Sequence, residues 1–326
     1  MSKMNMVQAI NLALKQEMGR DDNVVIMGED VGKDGGVFRL TEGLFEKFGE
    51  QRVMDTPLAE SAIIGISIGM AIYGLRPVCE IQFSGFSYYG FHQLESHAAR
   101  IRWRSRGQFH VPMVMRTPYG GGVRALEHHS ESREAYYAHT PGLKMVIPSG
   151  PRNARALLVS AIRDPDPVIF FEPKAIYRAF REDVPEDEET MPLMKSKLVR
   201  EGKDLTMISY GAMIRPTLEA ASILKKDDGV ETDVIDLLTI SPIDDEIFAE
   251  SVRRTGHAVV IHEAPRSFGP GAEIVSRLME KAFYYLEVPI ERVTGFDVPV
   301  PLFSRENAYI PDVNRILKAA RNSLSS

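Results

Sequence analysis

Residues 55–77 read DTPLAESAIIGISIGMAIYGLRP, and the organisation of the chain follows from this stretch. After a short turn comes Glu60, and no further charge appears before Arg76. A segment that is apolar on every side predicts a helix buried inside the protein rather than one on its surface. The segment is too short and too rich in glycine to predict a membrane span. Gly65 and Gly69 lie four residues apart, so one side of the helix is bare and another backbone could pack closely there.

Glu60 is the unusual residue of this stretch, because it is a carboxylate at the beginning of an otherwise apolar helix. The positive end of the helix dipole stabilises a negative charge at that position. Burial of a charge without a partner is nevertheless costly. Two interpretations stay open. Glu60 caps the first turn of the helix, or it is buried in order to exchange a proton with a ligand.

The bulk properties of the chain limit its class. Its 326 residues are 44% hydrophobic and 26% charged, which is enough for one large or two medium-sized domains. The net charge is −6 without a long basic run, so we expect neither nucleic acid nor a membrane as a partner. A single cysteine, Cys79, excludes a disulfide framework and a cysteine-rich metal site. The N-terminal residues predict an amphipathic helix rather than a signal peptide, and we expect a cytoplasmic protein.

Apolar runs and helical periodicities alternate along most of the chain. Strands are predicted at 24–27, 78–83, 112–116, 144–147, 168–171, 205–210, 232–236 and 258–262. Helices are predicted at 6–19, 60–72, 90–104, 153–162, 217–226, 246–255, 272–282 and 313–324. Such alternation predicts mostly parallel sheets with helices on both faces. Because the acidic, proline-containing segment 181–192 is typical of an exposed linker, we predict two doubly wound α/β domains, residues 1–190 and 191–326.

Ligands of open α/β sheets bind beyond the carboxyl ends of the strands, and this rule selects several loops. It selects Glu29, the loop 82–89 and the loop 119–130, which contains three consecutive glycines and then two histidines. The glycines let the backbone approach a ligand closely, but no Lys-Ser or Lys-Thr pair follows them as in a phosphate-binding P-loop. His128 and His129 are adjacent, so we expect them to point in different directions, one of them towards a site. A histidine here is either structural or an acid–base group.

Three common kinds of site are not predicted. The histidines lack the spacing and the cysteine partner of a zinc site. The Gly-x-Ser-x-Gly elbow of a serine hydrolase is absent. The glycine pattern near Gly269–Gly271 does not match a dinucleotide-binding fingerprint.

Five motifs together resemble a known family. They are DTPLAE (55–60), CEIQF (79–83), His129-Ser130, HTPGLK (139–144) and HEAP (262–265). In this order and spacing the chain resembles, over essentially its whole length, the beta subunit of the thiamine-diphosphate-dependent decarboxylase component of 2-oxoacid dehydrogenase complexes. The resemblance implies a transketolase-like pyrimidine-binding domain followed by a transketolase C-terminal-like domain. The stretches FFEPK (170–174) and IYRA (176–179) favour the branched-chain members, 3-methyl-2-oxobutanoate dehydrogenases, over pyruvate dehydrogenase.

The resemblance implies a role for each of five residues. Glu60 would hydrogen-bond the aminopyrimidine ring of thiamine diphosphate, and Leu58 would press on the cofactor to keep it bent. Phe86 would stack on the pyrimidine. Gln82 would lie in the channel that admits the lipoyl group. His129 would face the reacting centre, orient the substrate and assist the transfer of the acyl group to lipoyl.

The resemblance also implies partners and ions. The chain has no Gly-Asp-Gly motif followed by an asparagine at the spacing of a magnesium–diphosphate site. An alpha subunit would therefore hold the diphosphate and magnesium in an α2β2 enzyme, which would serve a lipoyl acyltransferase core and a small 2-oxoacid. A structural potassium ion is implied near Ala161, Asp164 and Asp166.

Two alternatives to this activity stay open. The chain could be one half of a split transketolase-like enzyme that acts on sugar phosphates, although its glycine loop offers Arg124 and little else to bind a phosphate. It could also be a non-catalytic scaffold subunit, in which Glu60 and His129 would be replaceable at little cost.

Overall fold

The fold is described from a computed structural model that covers residues 1–187 and 189–325. Glu188, which belongs to the segment predicted as a linker, lies outside the described residues. The chain divides into two units. The first consists of Met1–Tyr119 and Tyr136–Leu193, and the second of Gly120–Ala135 and Met194–Ser326. The predicted domain boundary lies near residue 190, whereas the second unit also includes the loop that carries the two histidines.

The strands and helices follow one another along both units. The strands are β1 Ser2–Met4, β2 Val24–Gly28, β3 Val53–Asp55, β4 Arg76–Glu80, β5 Val114–Tyr119, β6 Lys144–Val146, β7 Val168–Pro173, β8 Glu182–Val184, β9 Lys197–Arg200, β10 Leu205–Ser209, β11 Thr232–Asp236, β12 Thr239–Ser241, β13 Ala258–Ile261 and β14 Glu291–Val293. The helices are α1 Met6–Arg20, α2 Leu44–Phe48, α3 Glu60–Ile72, α4 Tyr88–Gln93, α5 Ala99–Arg104, α6 Glu127–Ser130, α7 Glu134–Ala138, α8 Pro151–Arg163, α9 Ile214–Ile223, α10 Asp245–Thr255, α11 Pro270–Ala282, α12 Glu306–Tyr309 and α13 Val313–Ser325.

The first unit is built on six parallel strands in the order β6-β7-β5-β4-β2-β3. Every residue of β2, β5 and β7 is buried, as expected for strands of a parallel sheet with helices on its faces. Because β2 and β4 are parallel neighbours, the residues that follow them emerge at the same edge of the sheet. The predicted doubly wound α/β architecture is confirmed.

The second unit is built on the strands β14-β13-β10-β11-β9. Four of them are parallel, and β9 joins β11 in the antiparallel direction. The central strands β10, β11 and β13 are buried along their whole length. The two edge strands are not predicted by the sequence analysis, because each is only three or four residues long and partly exposed.

Helix α3 forms as predicted but is not buried on all sides in this chain. Ile63, Ile64 and Ile68 face the core, whereas Ile66 and Ile72 keep 51% and 40% of their surface exposed. The prediction of a helix buried on all sides was wrong for this chain. An apolar sequence does not show whether another segment of the same chain lies opposite each face of the helix. One apolar side of α3 is therefore open to solvent.

The acidic segment 181–192 is not entirely a linker. Residues Glu182–Val184 form β8, which pairs with β1 in the antiparallel direction, and the side chain of Val184 is buried. A short strand with two acidic residues lacks the apolar alternation that would distinguish it from a loop.

Candidate active site

In the first unit, two loops meet at the carboxyl edge of the sheet. Glu29 follows β2, and Gln82 follows β4 at a distance of two residues. The Gln82 amide donates a hydrogen bond from Nε2 to Oδ2 of Asp30 at 2.9 Å, which ties one loop to the other. The strand-end rule thus identifies a real cluster of polar side chains.

Glu60 lies at the beginning of α3 and is only 6% exposed. Among the described residues, none donates a hydrogen bond to its carboxylate, and the N-terminus of α3 has no side-chain cap. The hydrogen bond that a capping side chain would make to the N-terminus of α3 is therefore not found, which disfavours the interpretation of Glu60 as a capping residue. A buried carboxylate without a donor instead has the capacity to bind a polar ligand group.

The carboxyl group of Glu29 has a raised pKa, with burial and the charge of Glu60 among the causes. The residue is 9% exposed, and burial raises the pKa of its carboxyl. The carboxylates of Glu60, Asp30 and Glu80 raise the pKa of Glu29 further. Burial and the three neighbouring carboxylates thus both favour the protonated form of Glu29.

A buried ion-pair cluster lies at the end of the same sheet. The Arg116 guanidinium donates hydrogen bonds from Nε and Nη2 to Glu172 at 2.8 and 3.0 Å, and a further one from Nη1 to Glu80. All three side chains are at least 96% buried. Arg116 was not predicted to have a role, because a single arginine in a strand has no periodic signal.

Two residues predicted to contact the cofactor, Leu58 and Phe86, differ in exposure. Leu58, two residues before Glu60, is 78% exposed. Phe86 is half-buried and packs edge-on against Phe83 with ring centroids 6.0 Å apart. The roles of Leu58 and Phe86 stay predictions.

The two histidines belong to the second unit, in the short helix α6. Their rings lie close to each other, with centroids 4.4 Å apart. The prediction that they point in different directions was wrong, because residues in a helix are separated by about 100° and neighbouring long side chains can still touch. His128 also approaches Glu127, with Nδ1 3.7 Å from Oε1.

The residues predicted to hold potassium do not fit that ion. The Lys144 ammonium lies 2.6 Å from Oδ1 of Asp164 and 3.3 Å from Oδ2 of Asp166. Arg102 binds the other oxygen of Asp166 at 2.6 Å. The carbonyl oxygen of Ala161 accepts the Asp164 amide at 3.3 Å. Cationic side chains thus already neutralise both carboxylates.

Within residues 1–187 and 189–325, no group of three or more histidine, cysteine or acidic side chains could hold a metal ion. No helix in these ranges is long and apolar enough to cross a membrane.

Comparison with known proteins gives consistent matches over the whole chain. Residues 2–179 match the transketolase pyrimidine-binding domain, and residues 194–316 match the transketolase C-terminal domain. The pyruvate dehydrogenase E1 component subunit beta of Acholeplasma laidlawii is 50% identical over 97% of this chain and 96% of its own. The subunit of the same name from Staphylococcus epidermidis is 49% identical over 99% of both chains. Among solved structures, a split-gene transketolase described as an inactive beta4 tetramer aligns with a TM-score of 0.82 over 99% of both chains; its 21% identity bears on the fold alone.

These relatives contradict the prediction of a branched-chain enzyme. That prediction was based on residues 170–179, which the structure shows to be largely core. Phe170 and Phe171 are completely buried in β7, Glu172 binds Arg116, and Lys174 is 3% exposed. Residues in such positions are selected for packing and charge pairing inside the sheet, so they carry little information about the size of a substrate.

Proposed function

We propose the activity of this chain from its family: it belongs to the E1 beta subunits of 2-oxoacid dehydrogenases, which combine transketolase pyrimidine-binding and C-terminal domains. Within that family we propose pyruvate as the substrate, since the relatives that are 50% and 49% identical carry that name. The reaction would be the decarboxylation of pyruvate, followed by oxidation of the remaining two-carbon unit by a lipoyl disulfide, one sulfur of which would receive the acetyl group while the other would be reduced to a thiol.

The buried carboxylate of Glu60 is the observation that carries this proposal. It begins α3, is 6% exposed and receives no hydrogen bond from the described residues. Thiamine diphosphate would supply the carbon nucleophile that attacks the 2-oxoacid. Glu60 would hydrogen-bond the ring nitrogen of the aminopyrimidine and exchange a proton with it.

Other side chains of the first unit would bind the cofactor and orient the substrate. Phe86 would stack on the pyrimidine, and the exposed side chain of Leu58 would cover the middle of the cofactor. Gln82, fixed by its hydrogen bond to Asp30, would direct its amide oxygen towards the entering substrate. In the second unit, His129 would act on the acyl group as it passes to lipoyl.

The chain would act together with an alpha subunit. The sequence has no motif for magnesium and diphosphate, so the partner would hold both. The apolar side of α3 that bears Ile66 and Ile72 is a surface that such a subunit would cover, because exposed apolar patches of this kind mark protein interfaces. A lipoyl acyltransferase would be the second partner.

The substrate is tested with the assembled enzyme. The chain is produced together with the alpha subunit, and decarboxylation is measured with pyruvate, with 3-methyl-2-oxobutanoate and with a sugar phosphate, each with and without thiamine diphosphate. We expect the highest kcat/KM for pyruvate and a strict requirement for the cofactor. Equal or better turnover of the branched acid would contradict the proposed substrate, and activity on the sugar phosphate alone would support a split transketolase.

The role of the carboxylate is tested with Glu60→Gln. Gln keeps the shape and the hydrogen-bonding capacity but cannot exchange the proton, so we expect turnover to fall by about 10²–10⁴-fold. The matched control is Glu50→Gln, which changes an exposed glutamate of the same unit and should leave turnover unchanged. If Glu60→Gln retained more than about a tenth of the activity at saturating cofactor, the scaffold interpretation would be preferred.

A further inference from the structure

Most of the loop that carries the histidines lacks regular secondary structure. Within residues 120–130, here called the histidine loop, the Leu126 carbonyl accepts a hydrogen bond from the His129 amide at 3.0 Å. The amide of Gly120 donates to Glu131 at 3.1 Å, just beyond the loop. Residues 121–126 form neither helix nor strand. The conformation of this part must therefore come from contacts with other segments.

Two carboxylates of the second unit supply such contacts. The amide of Gly121 donates a hydrogen bond to Oε2 of Glu263 at 2.9 Å. The amide of Arg124 donates a hydrogen bond to Oε2 of Glu306, also at 2.9 Å. Glu263 follows strand β13 by two residues, and Glu306 begins helix α12, so each carboxylate projects from the end of an ordered element.

Both carboxylates are withdrawn from water. Glu263 is 4% exposed and Glu306 is 1% exposed. Each of these carboxyl groups accepts one backbone hydrogen bond from the histidine loop. Burial increases what is lost when such a bond breaks, because the carboxylate then lacks both water and donor. Oε1 of Glu306 has no donor among the described residues, so the Arg124 amide is the hydrogen bond on which this carboxylate depends.

The histidine loop lies directly against these two side chains. A Cβ atom on Gly121 would lie 2.8 Å from Oε1 of Glu306 and 2.6 Å from Cδ1 of Ile310. A Cβ atom on Gly120 would lie 2.6 Å from Oε1 of Glu263. The absence of side chains at these glycines therefore lets the backbone lie close to the two carboxylates. The sequence instead predicts that the glycines let the backbone approach a ligand.

We propose that Glu306 and Glu263 are positioning residues that hold the histidine loop in the conformation that presents His129. Glu306 fixes the loop at Arg124, and Glu263 fixes it at Gly121, so the carboxylates restrain the segment that leads into α6. The reaction that His129 serves rests on the proposed function, whereas the restraint of the loop is independent of it.

The restraint is tested by proteolysis of the assembled enzyme with thiamine diphosphate and magnesium. Arg124 is exposed, so trypsin can cleave after it once the loop opens. Glu306→Ala removes the acceptor, and we expect cleavage after Arg124 to become at least about tenfold faster. Glu306→Gln keeps an oxygen acceptor, and we expect its rate to stay within about threefold of the parent enzyme. Glu250→Ala, which changes an exposed glutamate of α10, is the matched control.

Two readouts distinguish positioning from general stability. Cleavage after other residues of the second unit should keep the parent rate in Glu306→Ala. Transfer to lipoyl should lose more than decarboxylation with an artificial acceptor, and Glu306→Gln should restore most of the transfer. If Glu306→Ala does not fold, Gly121→Ala is used instead, because its Cβ would displace the loop from an intact carboxylate; we again expect faster cleavage after Arg124.

The outcomes separate the two proposals. Parent-like cleavage after Arg124 in Glu306→Ala, or in Gly121→Ala where the first variant does not fold, would overturn the positioning role. Equal acceleration in Glu306→Gln and Glu306→Ala would also overturn it, because the oxygen acceptor would then be irrelevant. If the parent enzyme has no thiamine-dependent activity, the proposed function fails, but faster cleavage in Glu306→Ala would still support the restraint of the loop.

Discussion

Replacement of Glu134 by glutamine is expected to change the pH dependence of stability. Glu134, at the beginning of α7, is completely buried, and its Oε1 accepts a hydrogen bond from the Tyr210 hydroxyl at 2.7 Å. Oε2 has no partner among the described residues. Burial raises the pKa of this carboxyl from 4.5 to about 7, the Tyr210 bond lowers it, and the charge of Glu263 raises it.

The sign of the effect follows from proton binding. The folded protein binds the Glu134 proton more tightly than the unfolded chain, so between pH 4.5 and about 7 the folded state carries more protons. The contribution of this group to stability is therefore fully present below pH 4.5 and is lost as the pH rises through about 7. The shift of roughly 2.5 pKa units corresponds to about 3 kcal/mol in the free energy of unfolding.

Glu134→Gln should remove this dependence. Glutamine still accepts the Tyr210 hydrogen bond but does not ionise. We therefore expect the free energy of unfolding of the variant, relative to the parent, to rise by about 2 to 3 kcal/mol between pH 5 and pH 8. The assay is denaturant unfolding at both pH values. Infrared difference spectroscopy should also show a protonated carboxyl that titrates near neutral pH in the parent and is absent from the variant.

The test of Glu134 has a control variant and an outcome that would contradict the prediction. Glu250→Gln, at an exposed position, should show no such change with pH. If the difference between Glu134→Gln and the parent is the same at pH 5 and pH 8, Glu134 does not hold a proton in the folded protein, and the argument from burial is refuted.

Two further predictions concern the buried cluster and the histidines. Arg116→Met should lower the free energy of unfolding by about 3 to 5 kcal/mol, because it leaves Glu80 and Glu172 buried without their cation. Arg102→Met, which breaks the half-exposed pair with Asp166, should cost less than about 1 kcal/mol, and equal losses in denaturant unfolding would contradict the role of burial. His129→Ala should impair transfer to lipoyl more than decarboxylation. His128→Ala should weaken both steps mildly, since its ring packs against His129, and a greater loss of transfer in His128→Ala would reverse the assignment.

Most of the fold follows from local patterns in the sequence. Strand β11 occupies the predicted residues 232–236, and β13 and α10 differ from the predictions by one residue at one end. These elements are recognisable because a fully buried strand is a short apolar run, and an amphipathic helix has a periodic one. Strands β9 and β14 were missed because edge strands are stabilised by one neighbour and have no such run.

The apolar character of α3 indicates burial, but not what covers it. Ile64 packs so closely on α4 that a Cβ atom on Gly90 would lie 2.2 Å from its Cδ1. Gly69, on the exposed side, has no atom within 4 Å of the place where its Cβ would be. The apolar sequence of α3 predicts that both sides of the helix are shielded from water, whereas the folded chain shields only one side. The exposed apolar side is consistent with a surface that a partner covers.

Residues of the candidate site could be predicted where their chemical character differs from that of their neighbours in sequence. Glu60 is recognisable because it is the only charge in a long apolar segment. Glu306 offers no such contrast, since its neighbours in sequence are polar and exposed. Its function depends on the amide of Arg124, which is 182 residues away along the chain. Contacts of that separation are decided by how the whole unit packs, so a carboxylate that holds a loop is visible only in the folded structure.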